Sequence, residues 1–204
     1  MNWLDRALRD WRIRRATPWI PDHALVLDVG CFDDSLFRRL GSRLRFGTGV
    51  DPMIDAPLDG DRFRLIPGDF PDVPRPDVAV DVVTMLAVLE HVPSDDLDRW
   101  ARACRQLLAP GGLVVATFPS PAVDRILDVL LRLRLLHGME FGQHHGADPR
   151  AAVRAFETAG FSLLRWRRFQ LGLNNLIVLR RETGESEDGP ETTGRRDESS
   201  TLKP

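Results

Sequence analysis

The sequence predicts an α/β class domain: a single doubly wound unit on a seven-stranded, mostly parallel sheet, with an antiparallel last strand. Three observations predict it. Short apolar runs alternate with segments of helical periodicity, the order expected of a right-handed parallel sheet. The run 78–86 is almost unbroken apolar, as in a strand buried on both faces. The first run ends Leu27-Asp28-Val29-Gly30 and the second Gly49-Val50-Asp51, about twenty residues on. Acids thus fall at the carboxyl ends of two strands, the edge where such sheets bind ligands.

Each element has a local reason. Residues 2–15 place Trp3, Leu4, Ala7, Leu8 and Trp11 on one helical face, and Thr17-Pro18 and Ile20-Pro21 end that helix. The first strand is 24–29, and the helix 35–40 closes at Gly41. Strands follow at 46–50, 63–66 and 78–86. The proline-rich run 71–76 leaves no room for a long helix between the last two. Ser94 caps a helix through Leu108, with Asp95 and Asp96 in its first turn. Pro110-Gly111-Gly112 stops it before the strand 113–118. A leucine-rich helix at 124–136 and a Gly- and His-rich loop come next. Asp148-Pro149 opens a helix that Gly160 closes. Strands 161–169 and 176–181 form a terminal antiparallel hairpin. From residue 182 the composition is that of a disordered tail.

The chain has 204 residues, 43 % hydrophobic and 28 % charged, enough for one domain with a real core. A net charge of −2 gives no global attraction to nucleic acid, and no RNA-binding module is visible. The charge is uneven: residues 182–204 hold seven acids and three bases. Two cysteines far apart, Cys31 and Cys104, give no disulfide framework and fit a reducing cytoplasm. No apolar run is long enough to span a bilayer. The arginine-flecked leucine helix leaves weak peripheral membrane contact open. Oligomeric state is not written in the sequence.

The loop after the first strand says which nucleotide to expect. A dinucleotide site needs G-x-G-x-x-G, so that bare backbone approaches the pyrophosphate. Here Gly30 is followed by Cys-Phe-Asp-Asp-Ser, and Asp33 and Asp34 stand where phosphates would lie. Carboxylates repel phosphate and suit a ligand with ribose and positive charge. S-adenosylmethionine, a sulfonium with an α-ammonium group, is such a ligand.

The ordered series of motifs resembles the class I S-adenosylmethionine-dependent methyltransferases, of the small-molecule type, over residues 24–181. Leu25 to Cys31 is similar to their first motif, Gly49-Val50-Asp51 to the ribose-binding acid, and Gly68-Asp69-Phe70 to the motif flanking the adenine. Asp81 to Val92, with Leu89-Glu90-His91, resembles the fourth-strand motif. Leu107 to Gly112 and Ala159-Gly160-Phe161 resemble the turns around the fifth and sixth strands. The resemblance implies a Rossmann-like fold, S-adenosylmethionine as cofactor, and methyl transfer to a small-molecule acceptor. One departure stands out. Where the family has G-x-G-x-G, Phe32 and Asp34 replace the second and third glycines.

The cofactor residues expected on this reading are Asp28, Gly30, Cys31, Asp51, Pro52, Met53, Asp69, Phe70, Leu86 and Ala87. Asp51 takes the ribose. Asp28 orients the loop or meets the ammonium group. Asp69, Phe70 and Met53 flank adenine. Cys31 reads as a buried filler rather than a nucleophile. The sulfonium is an activated donor, so the protein mainly aligns the groups. An oxygen nucleophile also needs a base, for which Glu90, His91, His144 and His145 are the candidates. A metal reading of His137, His144 and His145 lacks a completing ligand, so no metal is expected. Residues 1–20 and 121–147, with Trp3, Trp11, Trp19 and Phe141, are expected to roof an apolar or glycan-linked acceptor. Two other readings stay open: a non-catalytic binding protein on this fold, favoured by Phe32 and Asp34, and an NAD-dependent oxidoreductase.

Overall fold

A computed structural model describes residues 3–73, 78–120 and 148–183. The expected lid (121–147), with His144, His145, His137 and Phe141, lies outside the described residues, as does the tail beyond Thr183.

The sheet has eight strands in the order β3-β4-β2-β1-β5-β6-β8-β7. These are β1 (Ala24–Val29), β2 (Leu44–Asp51), β3 (Leu58–Asp59), β4 (Phe63–Pro67), β5 (Val80–Leu86), β6 (Leu108–Pro119), β7 (Phe161–Phe169) and β8 (Asn174–Arg181). The pairs joining β4, β2, β1, β5 and β6 are all parallel. The last strand, β8, is inserted antiparallel between β6 and β7. The count exceeds seven because the two-residue β3 adds an antiparallel edge to β4. So short a strand, with both side chains exposed, leaves no periodic signal.

Among the described residues four α-helices flank the sheet: α1 (Trp3–Ala16), α2 (Ser35–Leu40), α3 (Leu97–Leu107) and α4 (Pro149–Thr158). One core layer joins β-strand side chains to α3 and α4 through Leu97, Cys104, Val153 and Phe156. The other joins them to α1 and α2 through Ile13, Ala16, Leu36 and Phe37. Ser94 opens a short 3₁₀ turn, Ser94–Asp96, and the α-helix proper begins at Leu97. Asp148 caps α4 as expected, accepting the Arg150 N–H, with Pro149 at its first position. Among the described residues, no helix is long and apolar enough to cross a membrane.

Strand order reverses between β1 and β5: the chain builds outward through β2 and β4, then returns to place β5 on the other side of β1. The loops leaving these two strands therefore diverge and open a crevice at their carboxyl ends. That is where Gly30 and Ala87 lie.

Candidate active site

The loop after β1 is held by a few backbone contacts. The Gly30 N–H donates to the Val50 carbonyl at 2.8 Å. Gly30 adopts φ +68, and a Cβ there would lie 2.4 Å from Val88 Cγ2, so conformation and space both require glycine. Phe32 is also left-handed, at φ +58. That is the torsion a glycine would adopt freely, kept here by a residue with a Cβ. Its N–H donates to Asp51 Oδ2 at 2.9 Å, and the residue, 54 % exposed, lines the smaller of the two cavities that open here. Asp51 Oδ1 accepts the Met53 N–H at 2.8 Å. Each oxygen of this buried carboxylate thus spends one lone pair on backbone and keeps another for a ligand.

Two cavities meet at Gly30 and Ala87. The larger, about 480 Å³, is lined by Asp51, Pro52, Asp69, Phe70, His91 and Trp100 among others. Phe70 packs edge-to-face on Trp100, centroids 5.0 Å apart. The smaller, about 280 Å³, lies under α1 and is lined by Asp28, Cys31, Leu86, Leu8, Arg9 and Arg12 among others. Between them Ala87 takes φ +64, and its N–H donates to the Thr117 carbonyl at 2.8 Å. This left-handed residue turns the chain out of β5 at the junction of the two spaces.

Two acids are strongly perturbed, Asp28 in the wall of the smaller cavity and Glu90 in the turn after β5. Asp28 is buried, and burial pushes its carboxyl up to about 7 despite a 2.5 Å hydrogen bond from the Thr84 hydroxyl. The nearby Asp33 and Asp51 push it the same way. Thr84 sits opposite Asp28 in the β1–β5 register, which explains one polar residue inside an apolar strand. Glu90, in the 3₁₀ turn Leu89–His91, is raised to about 7 by burial, partly opposed by Arg12. Its Oε2 is buried with no hydrogen-bond partner among the described residues. Arg12 is itself lowered by burial, with Glu90 and Asp5 opposing. The helix α1 thus brings the Arg12 guanidinium toward the desolvated Glu90 carboxyl.

The neighbouring acids are used differently. Asp33 caps the Ser35 N–H at 2.9 Å and pairs with Arg9 at 2.5 Å, tying α1 to the loop. Asp34 pairs with Arg38 at 2.7 Å. Each carboxylate is thus paired with one arginine, and Asp33 also lines the smaller cavity.

The remaining expected residues divide. Asp69, Phe70, Pro52 and His91 gather at the larger cavity; Cys31 and Leu86 line the smaller. Burial raises the Cys31 thiol, which fits a filler. Met53 is 73 % exposed, and its backbone N–H donates to Asp51. His91 and Glu90 are neighbours in sequence but part company: His91 faces the larger cavity, whereas Glu90 interacts with Arg12 of α1. Trp3, expected in the roof, is exposed. Sequence reasoning missed Thr84, Trp100, Arg9 and Arg12. Only Thr84 carried a signal, as the lone hydroxyl in a buried strand.

These residues fit S-adenosylmethionine. Asp28 is a desolvated carboxyl that accepts a hydroxyl and, among the described residues, pairs with no cation, which suits an ammonium group. Gly30 gives a close backbone approach, and the larger cavity offers an aromatic wall beside a half-engaged carboxylate. The comparisons agree. The model of the methyltransferase domain family matches residues 2–165, and the chain belongs to this S-adenosylmethionine-dependent family. Ubiquinone biosynthesis O-methyltransferase of Stutzerimonas stutzeri is 33 % identical over 132 residues, covering 55 % of this chain and 56 % of that protein. An uncharacterized methyltransferase of Mycobacterium tuberculosis is 36 % identical over 107 residues, covering 48 % and 52 %. The chain spans about half the length of these curated relatives. Magnesium protoporphyrin IX methyltransferase from Synechocystis, solved with bound S-adenosylhomocysteine, shares the fold. Its TM-score is 0.65 at 17 % identity, covering 89 % of each chain. N-methyltransferase NodS from Bradyrhizobium japonicum gives 0.61 at 13 % identity, covering 89 % of this chain and 98 % of that one.

Proposed function

We propose that the protein transfers a methyl group from S-adenosylmethionine to a hydroxyl of a small-molecule acceptor. The observation that carries this reading is Glu90: a carboxyl raised to about 7, its Oε2 buried with no hydrogen-bond partner among the described residues, in the turn after β5. A carboxyl so poised can take a hydroxyl proton near neutral pH. S-adenosylmethionine, when bound, supplies a methyl group already activated on a sulfonium. The chain's part is then to bind, orient and deprotonate.

On this reading Asp51 holds the ribose hydroxyls with its two spare lone pairs. Asp69 and Phe70, beside Pro52 and the Met53 backbone, take the adenine in the larger cavity. Asp28 pairs with the α-ammonium group and Arg12 with the carboxylate. Gly30, Cys31, Leu86 and Ala87 supply backbone and small surface where the two cavities join. Leu8, Ile13, Leu36 and Leu86 offer the apolar part of the acceptor a matching wall. Glu90 is the base in preference to His91, which belongs to the adenosine side. The O-methyltransferase among the relatives supports an oxygen nucleophile.

The test is methyl transfer from labelled S-adenosylmethionine into a small-molecule extract, comparing wild type with Glu90→Gln. The variant is expected to bind S-adenosylhomocysteine within about twofold of wild type and to lose about 100-fold or more in product formation. Product at the wild-type rate would remove Glu90 from the reaction.

A further inference from the structure

Phe32 holds a backbone conformation that works against its own side chain. Its φ of +58 lies in the left-handed region, which a Cβ disfavours and glycine enters freely. The Asp33 N–H donates to the Cys31 carbonyl at 2.6 Å, closing a γ-turn with Phe32 at its centre. A γ-turn with positive φ at its central residue is the rare, strained form. The loop is pinned around it: the Cys31 N–H reaches the Val50 carbonyl at 3.4 Å, and the Phe32 N–H reaches Asp51 Oδ2. The side chain gains little from burial, since the residue is 54 % exposed. A large aromatic group kept at a strained position, with little packing in return, points to a role toward a ligand.

Its position says which part of the ligand. The backbone of Phe32 is bonded to Asp51, the acid assigned to the ribose. Its side chain lines the smaller cavity together with Asp28, the acid assigned to the α-ammonium group. Phe32 thus lies between the groups that take the two ends of the methionine arm. In S-adenosylmethionine the sulfonium stands between those ends, joined through a methylene to the ribose and through an ethylene to the amino-acid carbon. Among the described residues lining this cavity, Phe32 is the only aromatic one. The aliphatic lining side chains, Leu8, Ile13, Leu36 and Leu86, offer a cation no attraction.

We infer that the π face of Phe32 attracts the sulfonium, so that the site selects the charged methyl donor over its neutral demethylated product. The inference rests on the cofactor reading given under Proposed function. An aromatic face carries negative charge and draws a nearby cation, the more so where water is displaced. S-adenosylhomocysteine is a thioether without charge at sulfur and gains nothing from the ring. The positive charge leaves sulfur as the methyl group departs. The ring therefore favours donor binding and product release, and does not speed the chemical step.

The experiment titrates the full chain calorimetrically with S-adenosylmethionine and, separately, with S-adenosylhomocysteine. The ratio of the two dissociation constants is the quantity read. A disturbed loop weakens both ligands alike and cancels in that ratio, whereas loss of the ring's attraction does not. Phe32→Gly removes the ring and relieves the torsion, so it should fold at least as well as wild type. Phe32→Leu keeps apolar bulk without a π face. In both, the preference for S-adenosylmethionine is expected to fall about fivefold, and Phe32→Gly should bind S-adenosylhomocysteine within about threefold of wild type. Phe32→Trp, with the stronger π face, should raise the preference. An unchanged ratio in Phe32→Gly and Phe32→Leu would overturn the inference and leave the cofactor reading intact. A ratio lowered in Phe32→Gly alone would overturn it too, by assigning the effect to bulk. Failure of the folded wild type to bind either ligand would instead remove the cofactor reading, and this inference with it.

Discussion

Asp28 and Asp51 lie at the ends of adjacent strands, yet their surroundings set them to different tasks. Asp51 is held by two backbone N–H groups, one from each flanking loop, and so fixes the crevice as well as facing it. Asp28 has a threonine hydroxyl and little solvent, and its carboxyl sits at about 7. An ammonium group placed against Asp28 favours the carboxylate, so S-adenosylhomocysteine should bind more tightly as pH rises through 7. Titrations from pH 6 to pH 8 should show this, and Asp28→Asn should weaken binding and flatten that rise. The sign follows from linkage: below 7 binding must first expel a proton, and above it none is held. Both acids were legible in the sequence because each closes an apolar run. Their division of labour was not, because desolvation depends on Thr84, 56 positions from Asp28 in the chain. The exposure of Phe32 was equally hidden, because sequence names the residue but not the torsion that places it.

Among the elements, the loop after β1 and the helix α1 decide whether the crevice works. Gly30 cannot accept a Cβ without displacing Val88, and its φ is left-handed. Gly30→Ala should therefore cost about 1–3 kcal/mol in unfolding free energy, measured by denaturant titration, and weaken S-adenosylhomocysteine about tenfold or more. A variant as stable and as tight as wild type would mean that the loop relaxes freely. The helix α1 is fixed at two points: Arg9 on Asp33, and the Leu8 carbonyl accepting from Gln170 Nε2 at 3.2 Å. Its periodicity announced an amphipathic helix. That Arg9 turns to Asp33 and Arg12 to Glu90 depended on partners far along the chain. The strands β1, β2, β4, β5, β6, β7 and β8 were legible from apolar runs and turn residues, with shifted ends at several. The two-residue β3 was not, because it is made by pairing alone.

At the scale of the whole molecule, the reversal of strand order at β1 and β5 brings Gly30, Asp51 and Ala87 together at one edge of the sheet. Sequence order already implied that edge, since its acids, glycines and the Leu89-Glu90-His91 turn all follow strands. The central claim is that this edge is an S-adenosylmethionine site in which Asp51 is the ribose ligand and a brace of the loop. Calorimetric titration of the folded protein with S-adenosylhomocysteine tests it most directly, with Asp51→Ala run alongside. The account predicts one-to-one micromolar binding to wild type and at least about 100-fold weaker binding to the variant, the loss of two charge-assisted hydrogen bonds. No binding to the folded wild-type protein, or equal binding to Asp51→Ala, would contradict it.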